Sequence, residues 1–370
     1  MARELSYAED VRLNYNPEKP VERFAAAAVA APTIPKSPPW PEGKAPTPRP
    51  LSPAPAETDD LSRFKGYDAI VMTYTSAEAA TLAALFTPGH PVSSWYEYRH
   101  GISAYLPIVT GKNAPFNSDD PQSARYRHSL GLYFPCTIGS ARVLLVKSGL
   151  HLDYDVETVG SVIPFNKMVT EMVQTVKPKL FITTGTVGGI GADVKLGDVI
   201  IAGKTLFNCT KQFSNQPWAH QSYTASAVPA KALDLMTPGL LKVNAEMIAA
   251  AKPIAGRAIP KIWSGASATI VTTDVFAFDT SSNEPYHLHP LGQCCDMGDA
   301  MVGQAMHSDA IAKMGVSWYA IRNASDPQIP DSGKSFKDAD NEAGEIYKNY
   351  GAFTTAASVI ASWAIIAATA

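Results

Sequence analysis

The chain has 370 residues, 46% of them hydrophobic and 18% charged, with a formal net charge of −3. That is apolar material enough for one large core or two small ones. The slightly acidic balance offers no basic field, so a nucleic-acid partner is not expected. In chain order, residues 1–60 come first and differ from the rest. Arg3, Glu4, Glu9 and Asp10 leave no apolar signal-peptide core at the start. Residues 21–31 are alanine-rich and suit a short helix. Prolines then recur through PTIPKSPPWPEGKAPTPRPLSPAP, which favours an extended, mostly irregular arm. Such an arm drapes over a neighbour or docks to a proline-reading partner.

The folded domain is expected over residues 64–370. Residues 67–75 (YDAIVMTYT) read as a buried strand, and 76–86 (SAEAATLAALF) as a helix with Ser76 as its N-cap. Residues 88–135 are rich in Tyr, His, Ser and Gly and read as an insertion, of the kind that forms a lid or an oligomer contact. Residues 142–147 (RVLLVK) are a second buried strand, and 156–176 have helical spacing. Residues 180–202, LFITTGTVGGIGADVKLGDVIIA, run from a buried strand through a glycine-rich turn into another strand. Further on, 231–251 predict a helix, 267–273 and 293–297 strands, 299–314 a helix, and 316–321 (VSWYAI) a buried strand leading into Arg322-Asn-Ala-Ser-Asp326. Residues 350–370 carry no charge but are rich in Ala, Ser and Thr. They read as a close-packed terminal helix rather than a membrane span, so no membrane partner is expected. Strands alternating with helices give an α/β class, a single domain with a mixed, largely parallel central sheet flanked by helices.

Several residues stand where such sheets hold ligands, at the carboxyl ends of strands. Gly185, Gly188, Gly189 and Gly191 permit close backbone approach, yet their spacing matches neither the dinucleotide fingerprint nor the P-loop. Asp326 follows a strongly apolar strand; it is either a working acid or a turn residue helped by Pro327. Glu78 lies in the first turn of a helix, where the macrodipole alone would favour an acid. Phe276 is either a ligand contact or core. No metal site is expected, since His287 and His289 lack a third ligand, and there is no Gly-x-Ser-x-Gly elbow. The four cysteines, Cys136, Cys209, Cys294 and Cys295, fit buried thiols in a reducing, cytoplasmic compartment.

The glycine turn with Lys195-Leu-Gly-Asp198, the Thr272-Thr-Asp-Val-Phe276 segment, Asp296-Met-Gly-Asp-Ala300 and the Arg-x-x-Ser-Asp pattern ending at Asp326 together resemble the purine nucleoside phosphorylase and nucleosidase superfamily. The likeness is in particular to its methylthioadenosine/adenosylhomocysteine nucleosidase branch. It covers roughly residues 65–370 and implies the three-layer sandwich of nucleoside phosphorylases and subunits that associate as dimers or higher oligomers. It implies a purine nucleoside substrate and cleavage of its N-glycosidic bond, with Asp326 as the acid at purine N7 and Glu78 as the base that activates water. Thr186, Val187 and Gly188 would lie along the ligand, Phe276 would pack on the purine face, Ala277 would offer backbone contacts, and Ser325 would sit beside the acid.

The family reads Met-Glu-x-Ala where this chain has Met297-Gly-Asp-Ala300. Gly298 thus replaces the glutamate that grips the ribose. Asp296, Met297 and Asp299 are left on the sugar side, with a non-catalytic nucleoside-binding protein as an alternative. No cofactor is implied. Inorganic phosphate would be a co-substrate if the reaction were phosphorolysis, for which Arg142, Ser148, Gly149 and Thr186 are the available residues. Asp153 and Asp155, next to His151, would repel that anion and favour water.

Overall fold

The computed structural model describes residues 38–109, 130–150, 164–211, 213–245, 257–274, 277, 279–280, 283–326 and 336–369. Phe276, His151, Asp153, Asp155 and the alanine-rich stretch at 21–31 lie outside these. Among the described residues one mixed sheet contains β1 (Pro46–Pro48), β2 (Ala69–Thr73), β3 (Tyr96–Tyr98), β4 (Gly131–Ile138), β5 (Ala141–Ser148), β6 (Leu180–Gly189), β7 (Val199–Ile201), β8 (Lys204–Phe207), β9 (Ser222–Thr224), β10 (Ile262–Trp263), β11 (Thr269–Thr272), β12 (Cys294–Asp296) and β13 (Ser317–Asp326). Its longest path runs β1-β4-β5-β2-β6-β12-β11-β8-β9, with β13 pairing both β6 and β7. The site-bearing centre is parallel: β5 on β2, β2 on β6, and β6 on β13.

The central strands are apolar on both faces because helices cover both. Along β6, Phe181 and Val187 enter one core while Leu180 and Ile182 enter the other, the two-residue alternation of a strand. Strand β2 divides in the same way, Ile70 and Met72 against Ala69 and Val71. Helix α1 (Ser76–Phe86) and the long α4 (Phe336–Thr369) close the second face with Leu82, Phe86, Trp363 and Ile365. Helices α2 (Pro164–Val176) and α3 (Asp299–Met306) close the first with Phe165, Met168, Ala300 and Met301. The segment Asn349–Thr369 within α4 is long and apolar enough to cross a membrane, but 89% of its most apolar window is buried against the rest of the chain.

Several expected boundaries move for identifiable reasons. Thr75, not Ser76, caps α1: its side chain accepts from the Glu78 amide while Glu78 reaches back to the Thr75 amide, a capping box. Of the helix expected over 231–251, residues 246–251 lie outside the described ones; before them it is broken into short turns, Ala230–Leu235 and Pro238–Leu241, because Pro238 cannot continue the first. The helix expected over 299–314 stops at Met306 and restarts at Asp309. Part of the 88–135 segment is sheet, since β3 and β4 pair antiparallel and β4 runs along β5. Within the proline-rich stretch, β1 pairs antiparallel with β4. Trp40 packs on Trp363 with ring centroids 4.9 Å apart, and Lys44 Nζ donates to the Ala367 carbonyl at 2.6 Å. This part of the arm is held on α4 by its own chain.

Candidate active site

The carboxyl ends of β2, β5, β6 and β13, with β12 running in beside them, bring most of the expected residues together. Strand β13 carries a register shift there: Ala324 opposes Val187 and Asp326 opposes Gly188, so Ser325 is an extra residue. A bulge of this kind re-aims the next side chain. Ser325 Oγ lies 2.5 Å from Asp326 Oδ1 and 3.3 Å from the Val187 carbonyl. That leaves Oδ2 of Asp326 facing Gly188. A Cβ at Gly188 would sit 3.1 Å from Oδ2 and 3.2 Å from Cys295 Sγ, so glycine here keeps the carboxyl oxygen uncovered. Asp326 is 5% exposed. Burial pushes its pKa up to about 7, against the lowering pull of the Ser325 hydroxyl. A carboxylic acid still holding its proton near neutrality can act as a proton donor.

Glu78 is buried beneath the same strand ends. Its Oε2 accepts from Thr73 Oγ1 (2.9 Å) and from the amides of Tyr74 (2.9 Å) and Thr75 (2.8 Å). Its Oε1 accepts from the Thr186 amide (2.6 Å) and hydroxyl (2.7 Å), with Arg322 Nη1 at 3.5 Å. Burial works to raise the pKa of Glu78, but the Arg322 guanidinium and the hydrogen bonds from Thr186 and Thr75 outweigh it and hold the carboxyl below its ordinary value. Gly185 makes room for this contact, since a Cβ there would fall 2.2 Å from Glu78 Oε1 and 2.7 Å from Arg322 Nη1.

Arg322 is the centre of the cluster and was not among the residues expected to work. It is 2% exposed. Its Nε and Nη2 form a two-bond fork on Asp299, at 2.8 and 2.7 Å. Nη2 also reaches Asp296 Oδ2 at 3.3 Å, and the guanidinium lies over the Tyr74 ring, 4.7 Å from its centroid. One fixed cation thus serves three carboxylates, Glu78, Asp296 and Asp299. The strain falls on Asp296. Burial and the charge of Asp299 raise its pKa, while Arg322, the Thr272 hydroxyl (2.6 Å) and the Asp299 amide (2.8 Å) work the other way. Both oxygens of Asp299 are spent on Arg322. The sequence carried only the hint that a cation following an apolar strand must be paired; its partners lie far away along the chain.

The absent side chain at Gly298 has a physical counterpart. A Cβ there would meet the Tyr74 ring at 3.0 Å, so the ring occupies the space into which a side chain would project. Met297 is buried directly before it. Lys147, at the end of β5 opposite Thr73, is a further buried cation that sequence reasoning passed over. Burial lowers its pKa to about 7, with Glu78 pulling the other way. Of the expected anion-site residues, Arg142 is displaced. It lies at the opposite end of β5 and binds the Gly66 carbonyl at 2.7 Å. Ser148 Oγ is engaged with Leu150, and Thr186 with Glu78.

Next to Gly188, the glycine that Asp326 Oδ2 faces, opens a narrow cleft of about 10 Å³, room for about one water, lined by Gly188, Gly189, Ile190, Ala277, Asp279, Leu288 and Cys295. Its wall is mainly apolar, and Cys295 Sγ donates to the Ala277 carbonyl at 3.3 Å. The loop before the cleft is fixed by Asp274, whose carboxylate accepts from the amides of Thr210, Lys211 and Phe213. Among the described residues no group of three His, Cys, Asp or Glu side chains is arranged to hold a metal ion.

Residues 104–356 match the family model described as the phosphorylase superfamily. No curated protein matches the chain. Among solved structures, the methylthioadenosine/adenosylhomocysteine nucleosidase of Colwellia psychrerythraea in complex with adenine is 12% identical. The alignment covers 82% of this chain and 96% of that one, with a TM-score of 0.50. The corresponding enzyme of Neisseria meningitidis in complex with methylthio-immucillin-A is 14% identical over 81% and 99% of the two chains, TM-score 0.48. The futalosine hydrolase of Helicobacter pylori is 14% identical over 80% and 97%, TM-score 0.46. At such identities the likeness is one of fold.

Proposed function

The chain belongs to the phosphorylase superfamily, and from that premise we propose that it hydrolyses the N-glycosidic bond of a purine nucleoside. The observation that carries the reading is Asp326. It is a buried carboxyl whose pKa stands near 7, with one oxygen held by Ser325 and the other facing Gly188, a residue of the apolar cleft's wall. The cleft must widen to take a purine whose N7 meets Asp326 Oδ2; the base then takes the proton as the C1′–N9 bond breaks. The bonding pair leaves with the base, and the sugar passes through an oxocarbenium-like state. General acid help of this kind is worth about 10²–10⁴ in rate.

Water then attacks C1′, and its proton passes to a carboxylate. Glu78 is the candidate, ionised because Arg322 and the surrounding amides keep its pKa low. Its acceptor positions are filled by protein donors, so the Thr186 hydroxyl, a rotatable donor, must turn away to admit the water. Arg322 holds Glu78 and Asp299 in place and offsets part of their charge. The products are the free purine and the free sugar.

Lys147 favours a second reading. Its Nζ donates to the Ser148 carbonyl at the end of β5, where the Glu78 charge favours the protonated form against burial; in phosphorolysis the protonated amine would meet the attacking anion, and the product would be the sugar 1-phosphate. The decisive experiment measures base release from purine nucleosides with phosphate omitted and added. Release without phosphate supports hydrolysis. Release that requires phosphate, with sugar 1-phosphate as product, replaces it with phosphorolysis. Release under neither condition, with nucleoside still bound, would leave a binding protein on the same scaffold.

A further inference from the structure

Helix α4 sends one phenol into the site. Tyr347 donates from its hydroxyl to Thr75 Oγ1, the cap of α1, at 3.0 Å. One turn further on, a Cβ at Gly351 would lie 3.0 Å from Cδ2 and Cε2 of the Tyr347 ring, so glycine there keeps the ring's place clear. The phenol lies in the fields of both Glu78 and Asp326, and burial together with those charges raises its pKa, so it stays neutral. The Thr186 hydroxyl is its second hydrogen-bond partner. Having given its own hydrogen to Thr75, the phenol oxygen meets Thr186 as an acceptor. Thr186 thus has one hydroxyl hydrogen and two acceptors for it, Glu78 Oε1 at 2.7 Å and the Tyr347 oxygen. The carboxylate, being charged, is the stronger of the two.

We propose that Tyr347 is a positioning residue for the attacking water: its oxygen receives the Thr186 hydroxyl hydrogen as the water binds, which frees an acceptor position on Glu78 Oε1. The inference rests on Glu78 activating water for N-glycosidic cleavage. The swing breaks no covalent bond. The Thr186 amide keeps its 2.6 Å bond to Oε1 throughout, and the water donates one hydrogen to the position vacated. Without the Tyr347 oxygen the Thr186 hydroxyl could leave Glu78 only by giving up a hydrogen bond in a buried place, which lowers the share of sites holding the water by roughly tenfold. Tyr347 touches neither base nor sugar in this scheme, so its loss acts on turnover and leaves substrate binding as it was.

The test is base release from adenosine in phosphate-free buffer by the wild type, Tyr347→Phe, Thr186→Val and the double variant, with thermal melting of each. Tyr347→Phe keeps the ring and should lower kcat about tenfold with KM changed less than about twofold. Thr186→Val removes the hydroxyl that blocks Glu78, so adding Tyr347→Phe to it should change kcat by less than about twofold. A kcat unchanged in Tyr347→Phe, or losses that multiply in the double variant as a merely structural role would give, overturns the proposal. If Tyr347→Phe does not fold, Tyr347→Leu is read under the same expectations; should neither fold, the phenol is structural and the proposal falls. A wild type that releases no base without phosphate refutes the water reading itself and this proposal with it, and is told apart because the failure then precedes any variant.

Discussion

Replacing Asp326 by Asn should make the protein more stable and less active, with a pH signature that identifies the cause. The rise of its pKa from 3.8 to about 7 on burial corresponds to about 4 kcal/mol favouring the protonated form in the folded state. In the unfolded chain the carboxyl titrates at its ordinary value. Below that value both states are protonated and the site costs nothing. As pH rises the unfolded chain ionises first, so the folded state progressively loses stability. The loss is complete once pH passes the folded value near 7. Asparagine keeps an oxygen for the Ser325 hydroxyl and carries no charge. Urea denaturation should therefore find Asp326→Asn more stable by about 1–2 kcal/mol at pH 5 and by up to about 4 kcal/mol at pH 8, while base release falls about 10²–10⁴-fold. A stability difference independent of pH, or a variant less stable than wild type at pH 8, would show that burial does not hold this carboxyl protonated.

The same titration predicts that the rate of base release by the wild type falls above pH 7, about tenfold per unit, as Asp326 loses its proton; a flat profile to pH 9 would remove it as the acid. Arg322→Met strands Glu78, Asp296 and Asp299 without their cation and should cost about 3–5 kcal/mol of stability by denaturant titration. Gly298→Glu should destabilise through the Tyr74 ring by about 1–3 kcal/mol, and Tyr74→Ala in the same chain should relieve that extra cost; additive losses in the double variant would refute the steric account. Trp363→Ala opens a cavity in the second core worth about 3–5 kcal/mol and removes the support of Trp40 and Lys44, so limited proteolysis near residues 38–48 should accelerate.

The sheet and its helices were legible where local patterning and tertiary burial agree. Strands β2, β5 and β6 read as apolar runs because helices cover both faces, and α1 announced itself through small apolar residues ahead of Thr87 and Pro88. Within the extended proline stretch a short edge strand, β1, forms, because an edge strand tolerates proline and α4 offers Trp363 for Trp40 to pack against. In the site, Asp326 and Glu78 were visible as acids beside strand ends. Arg322, Tyr74 and Lys147 were not, because their importance comes from strands far apart in sequence meeting at one edge. Arg322 is 244 residues from Glu78, and no local spacing encodes that pairing. Arg142 erred in the opposite sense: a cation at a strand's start faces the wrong end of the sheet.

Hydrolysis with Asp326 as proton donor is tested most directly by running base release from adenosine in ¹⁸O-water, with and without the Asp326→Asn substitution. The free sugar should carry one solvent oxygen at C1′ whether or not phosphate is present, and the variant should yield neither base nor labelled sugar at a comparable rate. Base release with no solvent oxygen in the sugar, or an undiminished rate in Asp326→Asn, would contradict the mechanism.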